Sequence, residues 1–232
     1  MKIKVAQCWD DGVYTDIRLT GILRQYGAKA TFNLMPGRAP ESTTPPQWAK
    51  ITDDPAGYKG FRSGKIAIAD YKKVYSGFKV ASHNWMHEVA GKVPDEVFIE
   101  AAIHARKFLE DLFEMECPGF AWPCGGTSPA TAKLLREAGF AYGRTTQYVE
   151  DVRKCADTLI LNSNCHFQDR NFMTIYNRVK ETGGVFYFWG HSYEMLDCEG
   201  LWDQLEQKIR YISSDPDAEW CDVIDLVPLC HA

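Results

Sequence analysis

Short apolar runs alternate with segments of helical period along nearly the whole chain, and this alternation constrains the fold more than any other feature. The runs Ile3–Trp9, Lys29–Leu34, Phe78–Ala81, Gly119–Trp122, Thr158–Leu161, Gly184–Trp189 and Trp220–Leu229 read as strands. Between them, Ile17–Tyr26, Pro94–Met115, Pro129–Ala138, Asn171–Lys180 and Leu201–Ser213 read as helices. In the first helix Ile17, Leu19, Ile22 and Leu23 are expected to face inward, with Gly27 as the stop. The strongest helical stripe is Val97, Ala101, His104, Ala105, Phe108 and Leu112, which puts His104 at the edge of a core. From Pro36 to Gly77 the chain reads as a long Pro/Gly/Ser/Thr-rich loop, with Thr43-Thr44-Pro45-Pro46 its least structured part. Loops of that length inside a compact domain are generally functional, so this one is expected to wall a cleft. Strands alternating with helices imply a mainly parallel sheet, and in such barrels chemistry sits at the C-terminal ends of the strands.

One class of function is excluded early. A net charge of −5 without a basic cluster speaks against nucleic acid and anionic membranes as partners. No segment has the apolar length needed to span a bilayer. With 45% apolar residues, the 232 residues can build one core, so residues 1–232 are expected to form a single domain. Met1-Lys2-Ile3-Lys4 leads straight into the first strand with no secretory apolar segment, which points to a cytoplasmic location. The eight cysteines lack paired spacing and read as reduced thiols. Nothing here fixes an oligomeric state.

The first apolar run ends in Asp10-Asp11-Gly12. Adjacent carboxylates raise each other's proton affinity unless a cation or hydrogen-bond donors stabilise them. Neighbouring side chains on a strand point to opposite faces, so both can enter one pocket only where the chain turns, which Gly12 permits. A metal held by one carboxylate, leaving the other as a base, would resolve the conflict. His83 and His87, in Ser82-His83-Asn84-Trp85-Met86-His87 after the third strand, are four apart and would share one face of a helical turn. Asp11, His83 and His87 together make a two-histidine, one-carboxylate set with coordination positions open for water and substrate. The strand Gly119–Trp122 runs into Pro123-Cys124-Gly125-Gly126, a turn able to aim the Cys124 N–H at a reacting carbonyl oxygen. The apolar strand Val185–Trp189 ends in Gly190-His191, a good place for proton transfer.

In this order the four segments resemble the polysaccharide deacetylase family, metal-dependent carbohydrate esterases with a deformed (β/α) barrel of about seven strands. That family reads Thr-Phe-Asp-Asp-Gly, His-Ser/Thr-x-x-His, Arg-x-Pro-x-Gly and a late Leu-x-His. Here these stand as Cys8-Trp9-Asp10-Asp11-Gly12, His83-Asn84-Trp85-Met86-His87, Ala121-Trp122-Pro123-Cys124-Gly125 and Trp189-Gly190-His191. The resemblance implies Asp10 as general base, Asp11, His83 and His87 as metal ligands and His191 as general acid. It also implies a divalent cation, zinc first, with cobalt, manganese, nickel or iron as alternatives.

Two departures stand out. Ala121 occupies the place of the arginine that contacts the base in the family, and Arg144, one strand on, is a candidate replacement. The family also has an aspartate that orients the acid histidine, in a segment some way before it; the corresponding stretch here, Leu161–Phe167, has none. Asp169 and Asp151 flank that stretch, and His166 within it is a candidate to line the site. Trp85, Trp122 and Trp189 flank the motifs and could stack on sugar rings. The implied activity is removal of an acetyl group from the amide nitrogen of an N-acetylated sugar or oligosaccharide. The alternatives are hydrolysis of a small non-sugar amide or cyclic ureide, and a catalytically silent carbohydrate-binding protein.

Overall fold

The computed structural model describes residues 2–48, 60–198 and 200–230. In chain order its elements are β1 (Ile3–Asp10), α1 (Asp16–Gln25), β2 (Thr31–Leu34), β3 (Gln47–Trp48), β4 (Phe61–Arg62), α2 (Ile68–Tyr75) and β5 (Lys79–Ser82). They continue with α3 (Asp95–Phe113), β6 (Gly119–Ala121), α4 (Pro129–Glu137), β7 (Tyr142–Tyr148), β8 (Leu161–Ser163) and β9 (Cys165–His166). The last are α5 (Phe172–Thr182), β10 (Val185–Gly190), α6 (Gly200–Ser214) and β11 (Ala218–Trp220).

The main sheet is parallel throughout, in the order β8-β7-β6-β5-β2-β1-β10-β9, with β11 beside the start of β1. Its two ends, β8 and β9, are separated in sequence by Asn164 alone, so the sheet must curl until its ends meet. Asn164 fastens the seam: its backbone N–H donates to Tyr187 O at 2.7 Å, and its side-chain oxygen accepts from Tyr187 N at 2.7 Å. Its amide nitrogen donates to the carbonyls of Val149 and Glu150 at 3.0 and 3.1 Å. With residues 161–166 counted as one bent strand, the ring has the expected seven staves of a deformed (β/α) barrel.

Alternation along the strands sorts side chains between the barrel interior and the helices. On β1, Ile3, Val5 and Trp9 pack outward against α1, α5 and α6, whereas Ala6 and Cys8 join Tyr142, Leu161, Val185 and Tyr187 inside. Asp10, Arg144 and Trp189 continue those inner rows to the C-terminal ends of their strands. A third cluster, Phe98, Ala102, Phe120, Trp122 and Leu135, joins α3 and α4 to β6.

Several sequence expectations are corrected. The buried stripe of α3 is Phe98, Ala102, Ala105 and Leu109: Ala105 is buried as expected, but the rest of the stripe lies one position on, Val97 is exposed, and the exposed His104 ring packs tilted on Trp85 at 4.1 Å. In α1, Leu19, Ile22 and Leu23 are buried as expected, but Ile17 is exposed. The long loop contains α2, whose Tyr71, Val74 and Tyr75 are buried at helical spacing. Thr43 and Thr44 are well tied: Thr44 exchanges two backbone hydrogen bonds with Lys65, and the Thr43 hydroxyl bonds to Asp70. The expected strand at Thr158–Leu161 is a 3₁₀ turn followed by β8, and Trp220–Leu229 is the end of β11 followed by a 3₁₀ helix over Val223–Leu229. Asp222 opens that last helix through a reciprocal cap with Asp225, which an apolar-run reading overlooks.

Candidate active site

Asp10 is the last residue of β1 and points into the barrel mouth, 2% exposed. One of its oxygens accepts from Asn33 Nδ2 at 2.6 Å and the other accepts from Arg144 Nη2. Arg144 is as deeply buried, and its guanidinium lies over the Trp189 ring at 4.7 Å. Burial opposes ionisation of Asp10, but the Arg144 guanidinium, then the His83 and His191 rings, outweigh it and hold the carboxyl well below the usual carboxylate range. The register explains how β7 supplies this cation: Ala121 of β6 pairs directly with Arg144.

Immediately after β1 the chain turns, with Asp11 at φ 84° and Gly12 at φ 62°. The turn swings the Asp11 carboxylate into the same mouth as Asp10. The backbone is pinned on both sides, the Asp11 N–H donating to Asn33 O at 3.0 Å and Lys65 Nζ donating to Asp11 O at 2.8 Å. His83 and His87 do not lie on a helical turn. Residues 83–88 form an irregular loop in which Asn84 and His87 are left-handed, at φ 64° and 67°. Asn84 caps the loop internally, its Oδ1 accepting from Trp85 N at 2.9 Å and its Nδ2 donating to Glu88 O at 3.3 Å.

The loop nonetheless brings the two rings within 4.8 Å, and His83 Nε2 lies 3.7 Å from Asp11 Oδ1. One ligand atom from each of Asp11, His83 and His87 falls within 4.8 Å of the others, close enough for one ion. The donor chemistry fits a divalent cation. His83 Nδ1 is 2.9 Å from Ala121 O, so it carries the proton and Nε2 is left as the free donor atom. Burial, then the neighbouring His83 ring, push the proton affinity of His87 down to about 4, which keeps it neutral and able to coordinate.

His191 follows β10 and faces Asp10 across the mouth, its Nε2 3.8 Å from Asp10 Oδ2. Gly190 is needed before it, because a Cβ there would sit 2.1 Å from the Phe167 ring. The carboxylate nearest the Nδ1 side of its ring is Glu194, three residues later. Glu194 Oε2 lies 3.5 Å from His191 Nδ1, 2.9 Å from His166 Nε2, and accepts from the His191 backbone N–H at 3.0 Å. Asp151 is instead bound by Arg153, and Asp169 accepts from Asn171 N, so neither expected candidate serves. Burial disfavours the charge on His191, but Glu194 and the Asp11 and Asp10 carboxylates outweigh it and raise its proton affinity. Glu194 itself is held down at about 2, against burial, by its bonds to His166 and His191.

The remaining expectations divide. Cys124 is exposed at the crest of the turn after β6, at φ 54°, in a segment that begins where His83 meets Ala121. His166 is in the site through Glu194. Trp122 is fully buried, stacks on Phe98 and donates to Leu159 O at 2.7 Å, so it is core and cannot meet a sugar. Trp189 is buried beneath Arg144 and serves as its floor. Trp85 packs on His104 and Phe108. The long loop does wall the cleft, through Thr44, Arg62, Ser63, Gly64 and Lys65. Sequence reasoning overlooked Glu194, Asn33 and Lys65; only Glu194 left a signal, a glutamate at the third helical position after a strand end.

A family model for polysaccharide deacetylases matches residues 1–143. The chain belongs to the polysaccharide deacetylase family. Among solved structures, a Mycobacterium smegmatis protein assigned as a polysaccharide deacetylase superposes with TM-score 0.65 at 15% identity, over 98% of this chain and 89% of that one. The peptidoglycan deacetylase PdaC from Bacillus subtilis gives TM-score 0.55 at 16% identity, over 98% and 91%. The Streptococcus pyogenes deacetylase PplD, solved with acetate, gives TM-score 0.52 at 19% identity over 68% of this deacetylase-family chain, which spans 62% of PplD. No curated protein matches. At these identities the solved structures speak to the fold, which they share. Among the described residues no helix is long and apolar enough to cross a membrane.

Proposed function

We propose that this protein is a metal-dependent hydrolase that removes an acetyl group from the amide nitrogen of an N-acetylated sugar or oligosaccharide. The observation that carries the reading is the convergence of Asp11, His83 and His87 beside an ionised Asp10 and a Glu194-backed His191. Asp11 and the free Nε2 of His83, with a His87 ring nitrogen, would hold the cation, zinc first among the divalent ions that accept imidazole and carboxylate. Bound there, it would lower the proton affinity of water and polarise the acyl carbonyl.

Asp10 performs the first proton transfer in this reading. Its depressed proton affinity keeps it ionised throughout the neutral range, with Asn33 and Arg144 fixing its two oxygens toward the mouth. His191, whose proton affinity is raised by Glu194 and the Asp11 and Asp10 carboxylates, is assigned the delivery of a proton from Nε2 to the departing amine. Glu194 holds the His191 ring from its Nδ1 side and stabilises the imidazolium. The Cys124 N–H is assigned to the developing oxyanion. A single catalytic domain over residues 1–232 belongs to the same reading, supported by site residues drawn from Asp10 to Glu194. So does a cytoplasmic location, supported by eight free cysteines.

The test is acetate release from N-acetylated oligosaccharides by zinc-loaded protein, with a parallel screen of small amides and cyclic ureides. Acetate from sugars that disappears in Asp10→Asn is the expected result. Ammonia or formate from the small amides would transfer the reading to the alternative hydrolase. No product despite bound metal would reduce it to a binding protein.

A further inference from the structure

The 3₁₀ helix Val223–Leu229 covers the end of the barrel opposite Asp10 and His191. Its Val223 and Leu226 pack with Ala6, Tyr142 and Val185, from the first halves of β1, β7 and β10, and the Val223 N–H donates to Thr31 Oγ1 at the start of β2 at 3.4 Å. Cys230 follows this helix, and Cys155 lies in the connection between β7 and β8. Both thiols are half-buried, and both pack against that same cluster. They are far apart in sequence, and neither belongs to the metal or proton-transfer groups described above.

The two thiols meet. Cys155 Sγ donates to Asp157 O at 3.1 Å, which leaves its sulfur free to accept, and the Cys230 S–H hydrogen-bonds to it. Cys230 Sγ also lies 3.5 Å from Leu226 O. Each sulfur is carried on turned backbone. Lys154 N–H donates to Asp151 O at 3.1 Å and Ile160 N–H to Asp157 O at 2.8 Å, while Cys230 N–H donates to Val227 O at 3.2 Å. A cavity of about 310 Å³, lined by Val149, Val152, Lys154, Cys155 and Ile160, opens beside the first thiol and gives a small molecule access to it. Burial raises the proton affinity of both thiols, that of Cys230 to about 12, but the hydrogen bond from Cys230 acts the other way on Cys155. Cys155 is therefore the readier thiolate, with Cys230 already at its side.

We propose that Cys155 and Cys230 are a disulfide-forming pair which, by exchange with a small-molecule disulfide, fastens the C-terminal helix to the connection between β7 and β8. The Cys155 thiol gives its proton to water, and the thiolate attacks one sulfur of the small disulfide, whose S–S bond breaks and whose other half leaves as a thiolate. Cys230 then loses its proton and attacks the Cys155 sulfur of the mixed disulfide, expelling the second small thiolate. The two released thiolates take up the two protons. Two protein thiols are oxidised to one disulfide, and one small disulfide is reduced to two thiols.

The test incubates the full chain, first fully reduced, in glutathione buffers from reducing to oxidising, at mildly alkaline pH because both thiols hold their protons tightly. Remaining thiols are then alkylated and the peptides mapped by mass spectrometry. Thiols counted in denaturant should fall by two from the eight of the reduced chain, and the linked peptide should join Cys155 to Cys230. A disulfide that constrains the unfolded chain should raise Tm by roughly 5 °C or more over the reduced protein. Cys230→Ser should keep glutathione on Cys155 as a trapped mixed disulfide, and either Cys155→Ser or Cys230→Ser should abolish the rise in Tm. No Cys155–Cys230 peptide in the most oxidising buffer, or one no more abundant than peptides joining other cysteines, overturns the proposal and leaves the two thiols as packing groups. That mapping uses the unaltered chain, so it decides the matter even if a serine variant fails to fold. The outcome is also independent of whether the protein releases acetate.

Discussion

Replacing Arg144 by Met tests the centre of the site. Methionine roughly preserves the length of the side chain but removes the donor to Asp10 and the cation over Trp189. Both partners of the ion pair are almost fully buried, so the change strands a carboxylate with Asn33 as its remaining close donor. Removing one partner of a buried pair costs about 3–5 kcal/mol, mostly the penalty of the abandoned charge. For a chain of this length that corresponds to a fall in Tm of roughly 6–20 °C. The sign with pH is also fixed. Asp10 is depressed in the folded protein, so its contribution is present above the ordinary carboxylate value of 3.8 and fades as pH falls toward the depressed one. The stability gap between wild type and Arg144→Met should therefore be widest where the stranded Asp10 of the variant is ionised, begin to close as that carboxyl takes up a proton, and go on closing as pH falls toward the depressed wild-type value. The assay is thermal and urea unfolding of EDTA-treated protein across pH, with Asp10→Asn and the double variant closing a cycle. Because Asp10→Asn removes the stranded charge, Arg144→Met should cost about 2 kcal/mol less on that background. Additive losses, or an unchanged Tm at pH 7, would refute the idea that Arg144 exists to hold Asp10.

Other expectations are more local. Asp10→Asn should retain metal by elemental analysis yet lose roughly 10²–10⁴ in turnover, whereas His87→Ala should lose both. Glu194→Gln withdraws the carboxylate that raises the His191 proton affinity, so the alkaline limb of the kcat/KM profile should move to lower pH; an unmoved limb would remove Glu194 from the role. Asp16, buried and raised to about 7, accepts from Ser192 Oγ at 2.5 Å and Tyr75 Oη at 2.8 Å. A raised carboxyl stabilises the fold below its unfolded value, and that gain is lost as pH climbs to about 7, so Asp16→Asn should flatten the fall in stability over pH 4–7.

What the sequence disclosed and what it withheld follow from different physics. Alternation of strands and helices, and the placing of Asp10 and His191 at strand ends, are properties of local pattern and were legible. So was the grouping of Asp11 with His83 and His87, although the reason was not, since a left-handed loop and not a helical turn brings the rings together. The α3 stripe was right at Ala105 and otherwise misread by one position, because Phe98 and Leu109 share helical spacing with a set as apolar as the one chosen. Lys65 and Asn33 are in the site through long-range contacts with Asp11 and Asp10, and no short-range pattern announces such contacts. Trp122 sits among the motif residues and yet faces α3 and α4, because alternation turns it away from the mouth.

Arg144 and Glu194 together suggest how such a site tolerates rearrangement. In a parallel barrel, side chains at paired positions on adjacent strands enter the same mouth, so a guanidinium can move from β6 to β7 and still reach one carboxylate. Ala121 and Arg144 are paired in this way. The orienting carboxylate is likewise set by reach and not by chain order. Glu194 folds back in the turn after His191, and its longer side chain meets both His191 and His166. An aspartate at 194 would be one methylene shorter and could not span both rings. Glu194→Asp should therefore loosen the hold on His191, visible by NMR as a fall in the proton affinity of the His191 imidazole. If the His191 titration were unchanged, the length of Glu194 would have no part in holding that ring.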